Sequence, residues 1–451
     1  MSPSKMRQRI LEENPLNVLL VLSGPIIFNQ LVQVLYNLVD TFWLGKLGRA
    51  AVSAPAVSWP VIMTVVFFGN GFATAGLALV SQYVGAGKWE KVDKIVAQLL
   101  LVLFAVALVF GALGVIFARD VLSLLGVPPD VLPLASDYLR ILAVAFPFTF
   151  AGYVFGTALR AMGDTKTPMY INVFTIALNA ILDPLFIFGA GPLPAMGVSG
   201  AAVATAISNA LYSLVGLIIL FTGWRHVHLR FGHFIPDTDI MGKIVRIGLP
   251  SALSSSLNGL GFTVVMSIVS AFGSVATAAY GIGMRIINLI SGVVFGVSQA
   301  GGIMIGQNIG AENYERARRI LHLVVKTNIL ITAIIAVFVY LGSAAIVKVF
   351  IPDPAVVAAG AEMIRIFAFS VPFFGIFFPV MFALHAAGKT KISAILGSVR
   401  LWGMRIPFAY LLSHTLGMTG IWVGLALSNV TSAIVAVYFL VHTRWMRRIV
   451  E

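Results

Sequence analysis

The chain has 451 residues, 59% hydrophobic and only 10% charged, with 30 Lys and Arg against 17 Asp and Glu, whereas a soluble domain carries roughly 25% charge. A mean hydropathy of +0.97 excludes a soluble enzyme, and at roughly 20 to 24 apolar residues per crossing the composition suffices for about 11 to 13 spanning helices and little else. The net charge of +13 does not point to nucleic acid, because the basic residues sit in short loops and not on one face. The absence of Cys removes disulfides, thiolate metal sites and Cys nucleophiles.

The N-terminal stretch MSPSKMRQRILEENPLN leads into an apolar run reaching about residue 43 without a small-residue cleavage site. The run is therefore an uncleaved first helix, not a signal peptide. Spanning stretches follow near 15–43, 52–81, 95–118, 132–158, 168–190 and 197–222, then near 244–271, 276–306, 320–345, 357–384, 392–414 and 418–442. These make twelve, and the one long polar connection begins at 223. The sequence thus predicts an all-α polytopic membrane protein with an N-terminal lobe at 1–222, a cytoplasmic linker at 223–243 and a C-terminal lobe at 244–451.

The two halves repeat at an offset of 225 residues. Pro25 matches Pro250, Gly48 matches Gly273, Gly71 matches Gly296, Gln82 matches Gln307 and Pro147 matches Pro372. Asp137 and Arg140 match Glu362 and Arg365, and GDTKT at 163–167 matches GKTKI at 388–392. The register then slips by five, so that Gly200 and Asn209 match Gly420 and Asn429. With six helices per repeat both halves enter the membrane in the same direction, which predicts a pseudo-two-fold axis along the membrane normal. Loops on the side of the termini carry 20 Lys and Arg and those on the other side 4. Both termini are therefore expected in the cytoplasm, with the chain in the plasma (inner) membrane.

Asp40 on helix 1 and Asp183 on helix 5 lie within apolar sequence, where an ionisable group is costly unless it faces a hydrated cavity or finds a partner. Each heads a polar stripe at three-and-four spacing: Asn29, Gln33, Tyr36, Asn37 and Asp40 on one helix, Asn172, Thr175, Asn179 and Asp183 on the other. Either carboxylate could cap or cross-link helices; two of them, each with an amide within a turn, favour a cation or proton site. At the repeat offset Asp40 faces Val265 and Asp183 faces Phe408, so the acidic site belongs to the N-terminal half alone. The C-terminal half instead places Arg285, Arg400 and Arg405 in predicted helices. Snorkelling suits at least one of Arg400 and Arg405, while Arg285 could balance a buried carboxylate or helix carbonyls. Asp137 with Arg140, and Glu362 with Arg365, read as structural ion pairs.

HAAGKTK at 385–391 lacks the earlier Gly of a phosphate-binding loop, position 383 being Ala. His226, His228 and His233 have no acidic or Cys partner at metal-ligand spacing. No nucleophile and base share a polar segment long enough for a catalytic domain, so no enzyme, cofactor or resident metal is expected.

Pro25 with VDTFWLGKLG at 39–48, GAG at 85–87, ALRAMGDTKTP at 158–168 and GVSGAAVAT at 197–205 resemble the multidrug and toxic compound extrusion (MATE) transporters over essentially the whole chain. The resemblance is to the prokaryotic DinF-type branch, and the C-terminal half lacks the carboxylates of the NorM-type branch. It implies export of amphipathic, usually cationic drugs in exchange for H+ or Na+ by alternating access, by a chain expected to be monomeric. By the same resemblance Asp40, Asp183 and Asn179 fall on the cation-coupling positions, with possible Na+ held there. A hydroxyl is expected from helix 6, at Ser199 or Thr205, with Thr205 carried forward. Gln33, Tyr36, Asn37, Tyr138, Asn172, Met63 and Met169 are assigned to a substrate cavity and Pro25 to a hinge. An alternative within the superfamily is a lipid or lipid-linked saccharide flippase.

Overall fold

The computed structural model describes residues 3–189, 191, 194–224, 227–443 and 445–450, without the side chains of Asn37, Leu38, Thr41 and Arg49. Among the described residues there is no strand. A short α1 (Pro3–Glu12) precedes α2 (Pro15–Gly45), α3 (Arg49–Gly85), α4 (Trp89–Leu124), α5 (Leu132–Ala161), α6 (Lys166–Phe188) and α7 (Val198–Thr222). Then come α8 (Thr238–Ser270), α9 (Ser274–Gly310), α10 (Tyr314–Leu341), the short α11 (Ser343–Phe350), α12 (Pro354–Ala386), α13 (Thr390–Ser398), a π-helical turn (Val399–Arg405) and α14 (Ile406–His442). The last three form one apolar stretch, Thr390–His442, that Gly417, in a positive-φ conformation (φ 61°), breaks into two crossings. Among the described residues the spanning helices thus number twelve.

The helices outrun the apolar windows that predict them. The window at 95–118 becomes Trp89–Leu124, and that at 276–306 becomes Ser274–Gly310. Apolar length reports only the part in lipid, whereas backbone hydrogen bonding continues to a residue that can turn the chain. At the end of α3 that residue is Gly87 (φ 74°), followed by Lys88 N–H donating to Tyr83 O at 3.0 Å. The window at 320–345 overruns the end of α10 and takes in the start of α11.

The linker expected at 223–243 ends early, because α8 starts at Thr238. The Asp237 carboxylate accepts the Asp239 and Ile240 N–H groups, both at 3.1 Å, and so caps that helix. A buried Gln98 of α4 holds the linker in place. Its amide donates to His233 O (2.7 Å) and Ile235 O (2.9 Å) and accepts from Asp237 N–H (3.0 Å).

Packing divides the chain into two units, Met1–Gln8 with Phe28–Ala252, and Arg9–Ile27 with Leu253–Glu451. The cuts at 27/28 and 252/253 stand 225 residues apart, the period of the repeat, just past Pro25 and Pro250. Within the first unit α5 packs against α3, α4 and α7; within the second, α12 packs against α9, α10 and α14. Elsewhere in each unit small residues let helices approach closely, as they do between helices in lipid. A Cβ on Gly71 would come within 2.2 Å of Ala252 Cα in the first unit, and one on Gly296 within 2.5 Å of Ile27 Cγ1 in the second. Both members of each contact are repeat equivalents.

Candidate functional site

The acidic site is assembled in the first unit by three helices. The residues that α2 lines up one turn apart meet α6 and α7 through two hydrogen bonds. Asn172 Nδ2 donates to Asn29 Oδ1 at 2.8 Å, and the hydroxyls of Tyr36 and Thr205 lie 3.0 Å apart. Thr205, and not Ser199, is the helix-6 hydroxyl tied to the stripe. These contacts hold the Asp40 turn of α2 beside the Asp183 turn of α6, with the neutral phenols of Tyr36 and Tyr138 nearby.

The site is buried on its protein side. Asp183 is fully buried and Asn179 is 1% exposed. Among the described residues, neither carboxylate oxygen of Asp183, nor Asp40 Oδ1, nor either amide atom of Asn179 has a hydrogen-bond partner. The surroundings are apolar: Leu44, Ile62, Ile187 and Val198, with Tyr138 and Met63, belong to one hydrophobic cluster. An ionised carboxylate without donors in such a setting is strongly disfavoured until a proton or a cation neutralises it. Carboxylate and amide oxygens are also the donors a hard cation prefers. The arrangement can therefore take up a proton or hold a small cation, which is what the orphaned atoms fit.

Gln33 and Met169 are half-buried on α2 and α6 and stand in no hydrogen bond among the described residues; Pro25 is half-buried within α2. The side chain of Asn37 lies outside the described residues, as does His226. Trp43, one turn beyond Asp40, escapes a reading based on charge and amides. Its indole Nε1 is buried without an acceptor among the described residues, against the same apolar cluster. The signal for it was the spacing of three from Asp40.

Three expectations for the C-terminal half are corrected. Arg285 is exposed and stands over the Phe350 ring, 5.8 Å from its centroid, so it balances no buried carboxylate. Arg400 and Arg405 do not snorkel: Arg405 is 7% exposed, and both guanidinium groups donate to Asn429 Oδ1, at 3.2 and 2.6 Å. Asp137 and Arg140 stand 3.6 Å apart as an ion pair, but Glu362 accepts from Thr419 (2.7 Å) and Arg365 donates to Ser343 (2.9 Å). The hydroxyls of neighbouring helices outcompete an i,i+3 pair that is worth little.

The MatE family matches the chain twice, over residues 25–185 and 250–411, one match in each half of the repeat. The probable multidrug resistance protein YpnP of Bacillus subtilis is 31% identical over 434 residues, covering 96% of each chain. A FAD transporter of Shewanella oneidensis is 29% identical over 426 residues, covering 93% of each. A solved structure, that of a MATE protein in complex with MaL6, superposes with a TM-score of 0.90 at 25% identity, covering 96% of each chain. Twelve apolar helices in two repeats, a double family match and full-length relatives lead to one conclusion: the chain is a multi-pass membrane protein and belongs to the multidrug and toxic compound extrusion (MATE) family of transporters.

Proposed function

We propose that this transporter exports amphipathic, usually cationic compounds from the cytoplasm in exchange for H+ or Na+, with Asp40 and Asp183 as the coupling pair. It works in the plasma membrane with both termini in the cytoplasm. The observation that carries the reading is the orphaned set around Asp183. Fully buried carboxylate oxygens and the Asn179 amide, without a partner among the described residues, are tolerable only where a mobile charge completes them.

The two carboxylates share an apolar site, so both cannot stay ionised without cost. Uptake of H+ or Na+ from outside removes that cost and changes which packing of α2 against α6 and α7 is preferred. Pro25 interrupts the helical hydrogen bonding of α2 just before the point where packing passes from one unit to the other, and so is the natural place for α2 to bend. Tyr36 with Thr205, and Asn29 with Asn172, register that bend, since each bond links α2 to a different helix. Cargo and cation then favour different states, and each drives the other out; antiport by alternating access requires no more. Gln33, Met63, Met169, Asn172 and Tyr138 are the side chains offered to cargo, and Asn179 and Thr205 complete the coupling site. The purified chain in proteoliposomes should export ethidium when a pH or sodium gradient is imposed, and Asp40→Asn should abolish that export while retaining the folded, monodisperse protein. Gradient-driven export undiminished in Asp40→Asn would overturn the reading.

A further inference from the structure

The second unit holds a largely buried basic site with no acidic partner among the described residues. Arg400 and Arg405 are five residues apart in the π-helical turn Val399–Arg405. In an α-helix, at about 100° per residue, that spacing would turn them about 140° apart; an i→i+5 turn stacks them on one side. Asn429 Oδ1 accepts from both, Arg405 Nε donates to Ser428 Oγ at 3.1 Å, and Asn429 Nδ2 is anchored on Ser370 Oγ at 2.9 Å. These are neutral partners. Among the described residues no carboxylate lies within ion-pairing distance of either arginine, and Arg400 Nε is buried with no acceptor at all. Each guanidinium has five N–H donors, so most of two forks remains unmatched. Two like charges gathered on one amide in apolar surroundings are costly, and charges kept in such places mark a ligand path more often than a scaffold.

The neighbourhood narrows the ligand. The Arg400 guanidinium lies 4.6 to 5.1 Å from the ring centroids of Phe374, Phe377 and Phe378. From Phe378 a half-buried aromatic wall continues through Phe295 (4.4 Å between centroids) to Phe382 (5.9 Å). Planar forks match the oxygens of carboxylate or phosphate, and the rings beside them match a flat apolar body. We propose that Arg400 and Arg405 form an anion site that takes the carboxylate or phosphate group of an aromatic cargo molecule.

This assignment rests on the transport reading above and extends it to cargo that bears a negative charge. Its test uses flavin mononucleotide and riboflavin, which differ only by a phosphate, with ethidium as a cation, on the full chain in vesicles of phosphatidylcholine. Flavin mononucleotide should bind about tenfold more tightly than riboflavin, and Arg400→Gln and Arg405→Gln should each remove that difference. Ethidium and riboflavin binding should stay within about twofold of the parent protein, since neither offers an oxyanion to the forks. Should Arg405→Gln fail to fold, Arg405→Lys keeps the charge without the fork and should lose part of the preference. Equal binding of the two flavins, or equal weakening of all three probes in the variants, would overturn the assignment. A phospholipid headgroup carries the same chemistry: if adding phosphatidylglycerol abolishes flavin mononucleotide binding, the site belongs to lipid and the cargo assignment fails, whereas unchanged binding supports cargo. Failure of the transport reading would look different, as export that survives Asp40→Asn with the phosphate preference intact.

Discussion

The fifth helix of each half makes the sharpest contrast in the molecule. In the first half, α6 carries Thr175, Asn179 and Asp183 along one face; 225 residues later the same register holds Arg400, Met404 and Phe408. The first is a regular helix with Pro184 one residue after the carboxylate, and it buries that carboxylate without a partner. The second widens into a π turn that gathers a buried Arg405 and a half-buried Arg400 on one shared asparagine. The scaffold around them is the same: matched glycines at the close approaches, matched prolines, and Asn209 and Asn429 at equivalent places on the next helix. Duplication preserved the packing and left the polar positions free to take opposite charge.

The largest effect expected from that contrast is functional. Asp183→Asn should reduce gradient-driven ethidium export to the level of protein-free vesicles, because the amide cannot change charge when a proton or cation arrives. Phe408→Asn, at the equivalent position, should leave the coupling intact and act only through packing. Export measured side by side decides this: equal losses in the two variants would mean that the asymmetry of the halves has no part in coupling.

How far this contrast could be read from residues alone differs between its two sides. The acidic half was legible, because carboxylates and amides spaced by three and four in an apolar run announce themselves. Asp40, Asn179 and Asp183 needed no structure to be noticed, and neither did the twelve crossings. The basic half was not. Arg400 and Arg405 at a spacing of five fall on different faces of an ideal α-helix, so a reading at 100° per residue separates them and lets either one snorkel. Only the π turn brings them together, and neither helical nor strand periodicity signals it. The same limit hid α11 and the pairing of Glu362 with Thr419, which depend on a neighbouring helix and not on local spacing.

A smaller effect separates the paired asparagines. Asn429 serves two guanidinium groups, so Asn429→Ala should cost about 2 kcal/mol, the loss usual when hydrogen bonds to charged donors are removed. Asn209 offers only a long 3.4 Å bond to Thr149, so Asn209→Ala should cost about 0.5 kcal/mol, near the average for hydrogen bonds between membrane helices. Unfolding in mixed micelles at increasing detergent denaturant would rank the two. A costlier Asn209→Ala would show that the first half depends on that position at least as much as the second.

The smallest expected effect lies where the repeat departs from its own turn chemistry. α3 and α9 both end in a left-handed residue followed by a return hydrogen bond, Lys88 N–H to Tyr83 O at 3.0 Å and Asn313 N–H to Asn308 O at 2.8 Å. The first half uses Gly87 (φ 74°); the second uses Glu312 (φ 61°), the one non-glycine residue with positive φ among those described. A side chain there costs about 1 kcal/mol relative to glycine. Glu312 offsets part of this by meeting Arg448, but that pair is solvent-exposed on the Glu side at 58%, and such pairs contribute about 0 to 1 kcal/mol. Gly87→Ala should therefore lower stability by about 1 kcal/mol, with no compensation because only Arg7 lies near the added methyl, at 3.7 Å. Glu312→Gly should change it by less than about 1 kcal/mol, the backbone relief and the lost pair acting in opposite directions. If Glu312→Gly is instead the more damaging of the two, the contact with Arg448 fastens the C-terminal segment to the end of α9 more tightly than an exposed pair can, and high salt, which screens such pairs, should reproduce the loss in the parent protein.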